Sequence, residues 1–206
     1  MLKEAGINCG RFTLAPTRAE AEKAAQDLGF PVVMKIVSDQ IIHKTEAGGL
    51  RLNIRNQAEA GAAFDELLAS AKNYNAEAVI KGVLVTPMAP KGVEVIVGGL
   101  RDPQFGPVVM FGLGGIFVEI FKDVQFRLAP LNPKEALTLI KSIQAFPMLE
   151  GARGQKAVNL TALAGLIVAA GQYLADNGQV GEIDLNPVLC YDDQAEALDA
   201  VIGVTL

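Results

Sequence analysis

The chain is poor in the residues from which many catalytic and metal sites are built. It has one histidine in 206 residues, no tryptophan, and two cysteines, Cys9 and Cys190. With one histidine and no acidic partner pattern, neither a Ser-His-Asp nor a Cys-His nucleophile arrangement can be argued. Two cysteines so far apart offer no metal-ligand spacing and no disulfide framework, so a reducing cytoplasm is expected. Long apolar runs are missing too. The longest, Ala162 to Ala170, contains Gly165 and is far too short to span a membrane. Charged residues make up only 20% and the net charge is −5, so neither nucleic acid nor a membrane surface is an expected partner. Local lysines can still hold a nucleotide. Met1 to Gly6 carries no signal-peptide pattern and reads as a helix end closed by Gly6, as if earlier residues were absent.

What is present is material for a core. Hydrophobic residues make up 50%, enough for one large domain or two small lobes. Thr17-Arg18-Ala19-Glu20 is a capping box opening an alanine-rich helix that Gly29 stops. Pro31 to Val37 reads as a buried strand and Leu50 to Ile54 as a half-buried one. Asn56 caps a second helix, and Ala78 to Val85 reads as the next strand. Thr86 to Gly92 contains two prolines and cannot continue a central strand, so the lobe boundary is expected there, with lobes 1–85 and 86–206. Further strands are expected from Val93 and from Pro107, the second running into the loop Gly112-Leu113-Gly114-Gly115. A helix should start at Asn132-Pro133-Lys134-Glu135 and a long apolar one at Asn159. Two final strands, Val180 to Leu189 and Glu196 to Val201, complete an α+β pattern of helix-covered sheets.

Several residues could carry chemistry. Lys35 lies inside an apolar strand, where an ammonium needs an anionic partner. A core-edge carboxylate and a nucleotide phosphate both meet that need. His43 follows in Ile42-His43-Lys44-Thr45-Glu46-Ala47-Gly48-Gly49, a polar context that suits an exposed, mobile loop. At its ordinary pKa a histidine is largely neutral at pH 7, leaving one ring nitrogen free to attack or to ligate. Glu94 alternates with valines, so it is either a solvent-facing strand residue or an acceptor for ribose hydroxyls. Glu182, Asp184 and Asn186 share one strand face by period-two alternation, and Asp199 follows on the next strand. Such an oxygen-rich face suits Mg²⁺ or is a solvated edge. The glycine loop matches neither the P-loop spacing nor the dinucleotide fingerprint. Gly151-Ala152-Arg153-Gly154 places an arginine toward phosphate or forms a surface turn.

The segments PVVMKI, IIHKTEAGGL, GVLVTPM, GVEVIVGGLRDPQFGPVVMFGLGGIFVE, FRLAPL, GARG and EIDLNPV together resemble the ATP-grasp module of NDP-forming acyl-CoA synthetases, the ADP-forming acetate–CoA ligase type. The β subunit of succinyl-CoA synthetase is more distantly similar. The resemblance covers nearly the whole chain. It implies an ATP-grasp fold, two α/β lobes with a nucleotide site between them, binding ATP or ADP with Mg²⁺. It further implies that Lys35 contacts phosphates, that the backbone of Thr86 to Met88 reads adenine, and that Glu94 holds the ribose. By the same resemblance Asn186 and Asp199 ligate Mg²⁺ with Asp184 beside them. His43 matches a histidine that is transiently phosphorylated. In this family phosphate passes between an acyl phosphate, a histidine on a CoA-binding part, and ADP bound on this module. The implied partner is therefore a CoA-binding domain or subunit. Asn159 and Val201 stand where an aspartate and an arginine are common. Two other readings are a ligand-sensing module fused to a lysine acetyltransferase and an ordinary carboxylate–amine ligase of the same fold.

Overall fold

A computed structural model describes residues 2, 4–41, 44–115, 122–151 and 156–204. The chain divides into two compact units, Arg11–Pro90, and Met1–Gly10 with Lys91–Leu206. The division falls after Pro90 and not at residues 85 and 86. Residues before Gly10 join the second unit because Ile7 is buried in its core and the Asn8 carbonyl accepts the Ala197 amide.

The unit Arg11–Pro90 runs β1 (Thr13–Ala15), α1 (Arg18–Leu28), β2 (Val32–Val37), β3 (Leu50–Ile54), α2 (Gln57–Tyr74) and β4 (Gly82–Pro87). Its sheet has the order β1-β4-β2-β3, antiparallel throughout. The capping box forms as expected: the Thr17 hydroxyl accepts the Glu20 amide, and the Glu20 carboxylate accepts the Thr17 amide at 3.0 Å. Asn56 caps α2 through the Glu59 amide at 2.9 Å. α1 buries Ala21, Ala24 and Ala25. α2 buries Phe64, Leu67 and Ala71, and both helices share a core with Val32, Met34, Ile36, Val83 and Val85. Truncating a residue as buried as Leu67 to alanine costs about 2–5 kcal/mol. Strand alternation sends Val33, Lys35 and Thr86 to the sheet face away from this core.

β4 departs from expectation. It starts at Gly82, later than Ala78, and runs through Pro87, which lies opposite Val32. Pro87 is tolerated because β1 reaches only to Val85, so β2 alone flanks the strand at that point.

The second unit contains β5 (Val93–Asp102), β6 (Gly106–Leu113), β7 (Val124–Leu128), α3 (Pro133–Lys141), a 3₁₀ turn (Phe146–Met148), α4 (Leu160–Asp176), β8 (Val180–Cys190), β9 (Ala195–Ala197) and β10 (Ala200–Val204). The sheet order is β10-β8-β5-β6-β7, with β9 also on β8. α3 opens on the expected Asn132-Pro133 cap, and α4 is capped by Asn159. The two helices bury Leu139, Leu163, Ile167 and Leu174 against Val95, Val97, Val109, Phe111, Ile183 and Leu185. The opposite sheet face carries the complementary set. Asp184, Gly98, Met110 and Phe126 form one row across β8, β5, β6 and β7. The final expected strand is two, β9 and β10, which pair with successive parts of β8 and break at Leu198 and Asp199. β7 is absent from the expected strands, although Val124 to Leu128 alternates apolar and polar residues. Each unit is an antiparallel sheet covered by helices, the α+β class expected.

Candidate functional site

In the first unit, β2 holds Lys35 between Leu84 of β4 and Leu50 of β3. It is 9% exposed, one of two buried polar or charged residues among those described. Two flanking strands restrict the stem and so fix where the ammonium can reach. After β2 the chain enters the histidine segment. His43 and Ile42 lie outside the described residues, but both shoulders are anchored. Ile41 and Ala47 are buried in the core of the unit. The Gly49 carbonyl accepts the Ile36 amide at 2.9 Å, the Gly49 amide donates to Lys44 at 2.6 Å, and the Arg51 guanidinium donates to Gly48 at 2.9 Å. Asp39 pairs with Lys81 at 2.7 Å. A side chain on Gly49 would run into Ile36, its Cβ lying 2.6 Å from Cγ2.

Thr86 pairs with Val33 near the end of β4. Met88 is exposed, and its amide donates to the Pro31 carbonyl at 2.9 Å. That amide is committed to the fold.

In the second unit, Glu94 is exposed near the start of β5, and its carbonyl accepts the Gly114 amide at 2.7 Å. β8 points Ile183 and Leu185 into the core and Glu182, Asp184 and Asn186 away from it. Asn186 is tied to Asp199 main chain to main chain at 3.3 Å. Burial pushes the Asp184 carboxyl above the ordinary 3.8, and the Glu182 and Asp199 charges add to the shift. This face is thus short of positive charge. Among the described residues no three carboxyl, thiol or imidazole groups are placed to hold a metal. Asp184, Asp199 and the Asn186 amide form a smaller hard-oxygen set. It fits Mg²⁺, which takes one or two carboxylates and completes its shell with phosphate and water. Arg153 lies outside the described residues.

Three features escaped sequence reasoning. Asp123, 7% exposed, accepts the Gln144 amide at 2.9 Å and the Ala145 amide at 2.7 Å, tying the end of α3 to the start of β7. The Arg101 guanidinium donates to the carbonyls of Leu174, Asn177 and Val180 around the end of α4. A cleft of about 290 Å³ lies among Lys91, Val93, Lys156, Cys190, Tyr191 and Asp192. None of the candidate nucleotide, phosphate or Mg²⁺ residues read from the sequence lines it. Lys156 pairs with Asp192 there, and burial, then Glu196, pushes the Tyr191 phenol up to about 12. Asp123 and Arg101 engage main-chain groups that no motif records.

The chain matches the family described as "ATP-grasp domain" over residues 1–204. It belongs to that family. Over 200 residues it is 52% identical to the acetate–CoA ligase [ADP-forming] I subunit β of Pyrococcus furiosus, covering 97% of this chain and 86% of that one. It is 45% identical over 206 residues to the 4-hydroxybutyrate–CoA ligase [ADP-forming] of Nitrosopumilus maritimus, of which it spans only 30%. Among solved structures, a Ca. Korarchaeum cryptofilum acetyl-coenzyme A synthetase in complex with coenzyme A, Ca-AMPCP and HgCl⁺ superposes with a TM-score of 0.96 at 43% identity, covering 99% of this chain and 89% of that one. Another form of that enzyme, with coenzyme A and Mg-AMPPCP and its phosphohistidine segment pointing towards the nucleotide binding site, gives 0.86 at 40% identity, covering 99% and 88%.

Proposed function

We propose that the chain is the nucleotide-binding module of an ADP-forming acyl-CoA synthetase, moving phosphate between ATP or ADP and His43. The observation that carries this reading is the 52% identity to a ligase β subunit over 86% of that subunit's length. The Korarchaeum enzyme's phosphohistidine segment supports the histidine role. The overall reaction is acid + CoA + ATP ⇌ acyl-CoA + ADP + phosphate. A CoA-binding part, either a separate subunit or another stretch of a longer polypeptide, completes it. A reducing cytoplasm suits Cys9 and Cys190, neither of which is in a disulfide.

The residues divide the work by chemistry. Lys35 contacts the phosphates and draws off their charge as the terminal P–O bond weakens. Glu94 accepts hydrogen bonds from the ribose hydroxyls. The stretch Thr86 to Met88 borders the adenine, with the Met88 carbonyl as acceptor for its amino group. Asp184, Asn186 and Asp199 would hold Mg²⁺, which when bound supplies charge neutralisation at the phosphates. Neutral His43 attacks the terminal phosphorus through a ring nitrogen. The N–P bond forms, the bond to the ADP oxygen breaks, and ADP leaves with that electron pair. The anchored shoulders at Ile41 and Ala47 give the histidine segment two fixed ends.

The test is labelling with ATP carrying radioactive phosphorus in the γ position. The chain should take up acid-labile, base-stable label, and His43→Ala should take up none. Undiminished label in that variant would sink the relay role.

A further inference from the structure

The run Gly112-Leu113-Gly114-Gly115 fits no phosphate-loop spacing, yet it has a definite neighbour. β6 ends at Leu113, opposite Val95 of β5. The chain continues one step beside Glu94, where the Gly114 amide donates to the Glu94 carbonyl at 2.7 Å. A Cβ on Gly114 would lie 3.0 Å from the Glu94 carbonyl carbon, 3.1 Å from its Cβ and 3.1 Å from its carbonyl oxygen. Two of those atoms are main chain, so no rotamer change relieves the contact. Either residue 94 moves or the bond breaks. Gly115 then takes the left-handed conformation at φ +65. A Cβ there would lie 3.6 Å from Oε2 of Glu94, in ordinary contact. The carboxylate therefore lies alongside residue 115, with its root pressed against residue 114.

We infer that Gly114 and Gly115 are positioning residues for Glu94, and that through it they set the module's preference for nucleotides bearing ribose hydroxyls. The premise is the ribose role of Glu94 proposed above. Gly114 allows β5 and β6 to approach closely enough to fix the Glu94 backbone. Gly115 leaves the flank of the carboxylate uncovered, so that its oxygens can meet a ligand. The ligand class is a nucleoside di- or triphosphate with a vicinal diol, and the selected feature is the diol.

The experiment compares binding of ADP and 2′,3′-dideoxy-ADP, with Mg²⁺, by calorimetry on the full chain. Hydrogen bonds to a charged acceptor predict that wild type prefers ADP by about tenfold or more. Gly114→Ala should weaken ADP about tenfold while changing dideoxy-ADP by less than about threefold. Gly115→Asn tolerates the left-handed backbone and puts an amide beside Oε2, so it should lower the preference without unfolding the chain. It also keeps the inference testable if Gly114→Ala does not fold. Loss of affinity for both ligands in equal measure, or an unchanged preference in both glycine variants, would overturn the positioning role. Glu94→Gln separates the premise. A wild type without preference, or one whose preference survives Glu94→Gln, means that the ribose reading itself is wrong. A preference lost in Glu94→Gln but intact in both glycine variants means that only the glycine inference is wrong.

Discussion

The amide of Asn186 donates to the carbonyl of Asp199 at 3.3 Å, and the Asp199 carboxylate accepts the next amide, that of Ala200, at 3.0 Å. Main-chain bonding therefore ties the two residues together at the break between β9 and β10. The arrangement does not depend on a cation. It gathers negative charge on one sheet face, which is favourable only when something positive arrives.

Asp184 feels this most. Burial, then the Glu182 and Asp199 carboxylates, raise its pKa above the ordinary 3.8. The folded chain thus binds this proton more tightly than the unfolded chain. The stability tied to it is full below the unfolded pKa and is lost as pH rises through the raised folded value. Asp184→Asn removes that loss. Melting the metal-free chain between pH 4 and pH 7 should show a smaller loss of stability at the upper end for the variant than for wild type. The variant should also bind Mg²⁺-ADP more weakly. An identical pH trend in the two proteins would refute the assignment.

Lys35→Met keeps the volume of the buried stem and removes the ammonium. ADP with Mg²⁺ at about 100 times its Kd should stabilise wild type by about 2.7 kcal/mol. A tenfold or greater loss of phosphate affinity in the variant reduces that gain, at the same concentration, to about 1.4 kcal/mol or less. Thermal shift with and without ADP reads the difference directly. A full ligand-induced shift in Lys35→Met would remove Lys35 from the phosphate site.

Arg101 should matter for stability and not for nucleotide affinity. Its fork serves three carbonyls around the end of α4, where a cation also complements the helix dipole. Arg101→Ala should destabilise by about 1.5–3 kcal/mol. Arg101→Lys should recover only part of this, because one ammonium cannot match the planar fork. Denaturant midpoints measure both.

Much of this was legible along the chain. The caps at Thr17, Asn56 and Asn132 are formed by residues within three positions of one another, so local chemistry sufficed to find them. Alternation in β8 likewise separated Asp184 and Asn186 from the core-facing residues. β4 runs past the expected Val85 because tolerance of Pro87 depends on how far its neighbour β1 extends. The break between β9 and β10 is visible only against β8, so the sequence reads as one strand there. Asp123 gave no signal, since its partners are two main-chain amides beyond α3.

Capping, strand alternation and the family-specific segments are written in short stretches of residues, and these settled the α+β class, the family and the candidate residues. Packing between distant stretches settled the rest. It put Gly114 against Glu94, tied Asn186 to Asp199, closed α4 with Arg101 and committed the Met88 amide to Pro31. Such contacts depend on strand register and close approach across the sheet, which short-range propensity does not encode.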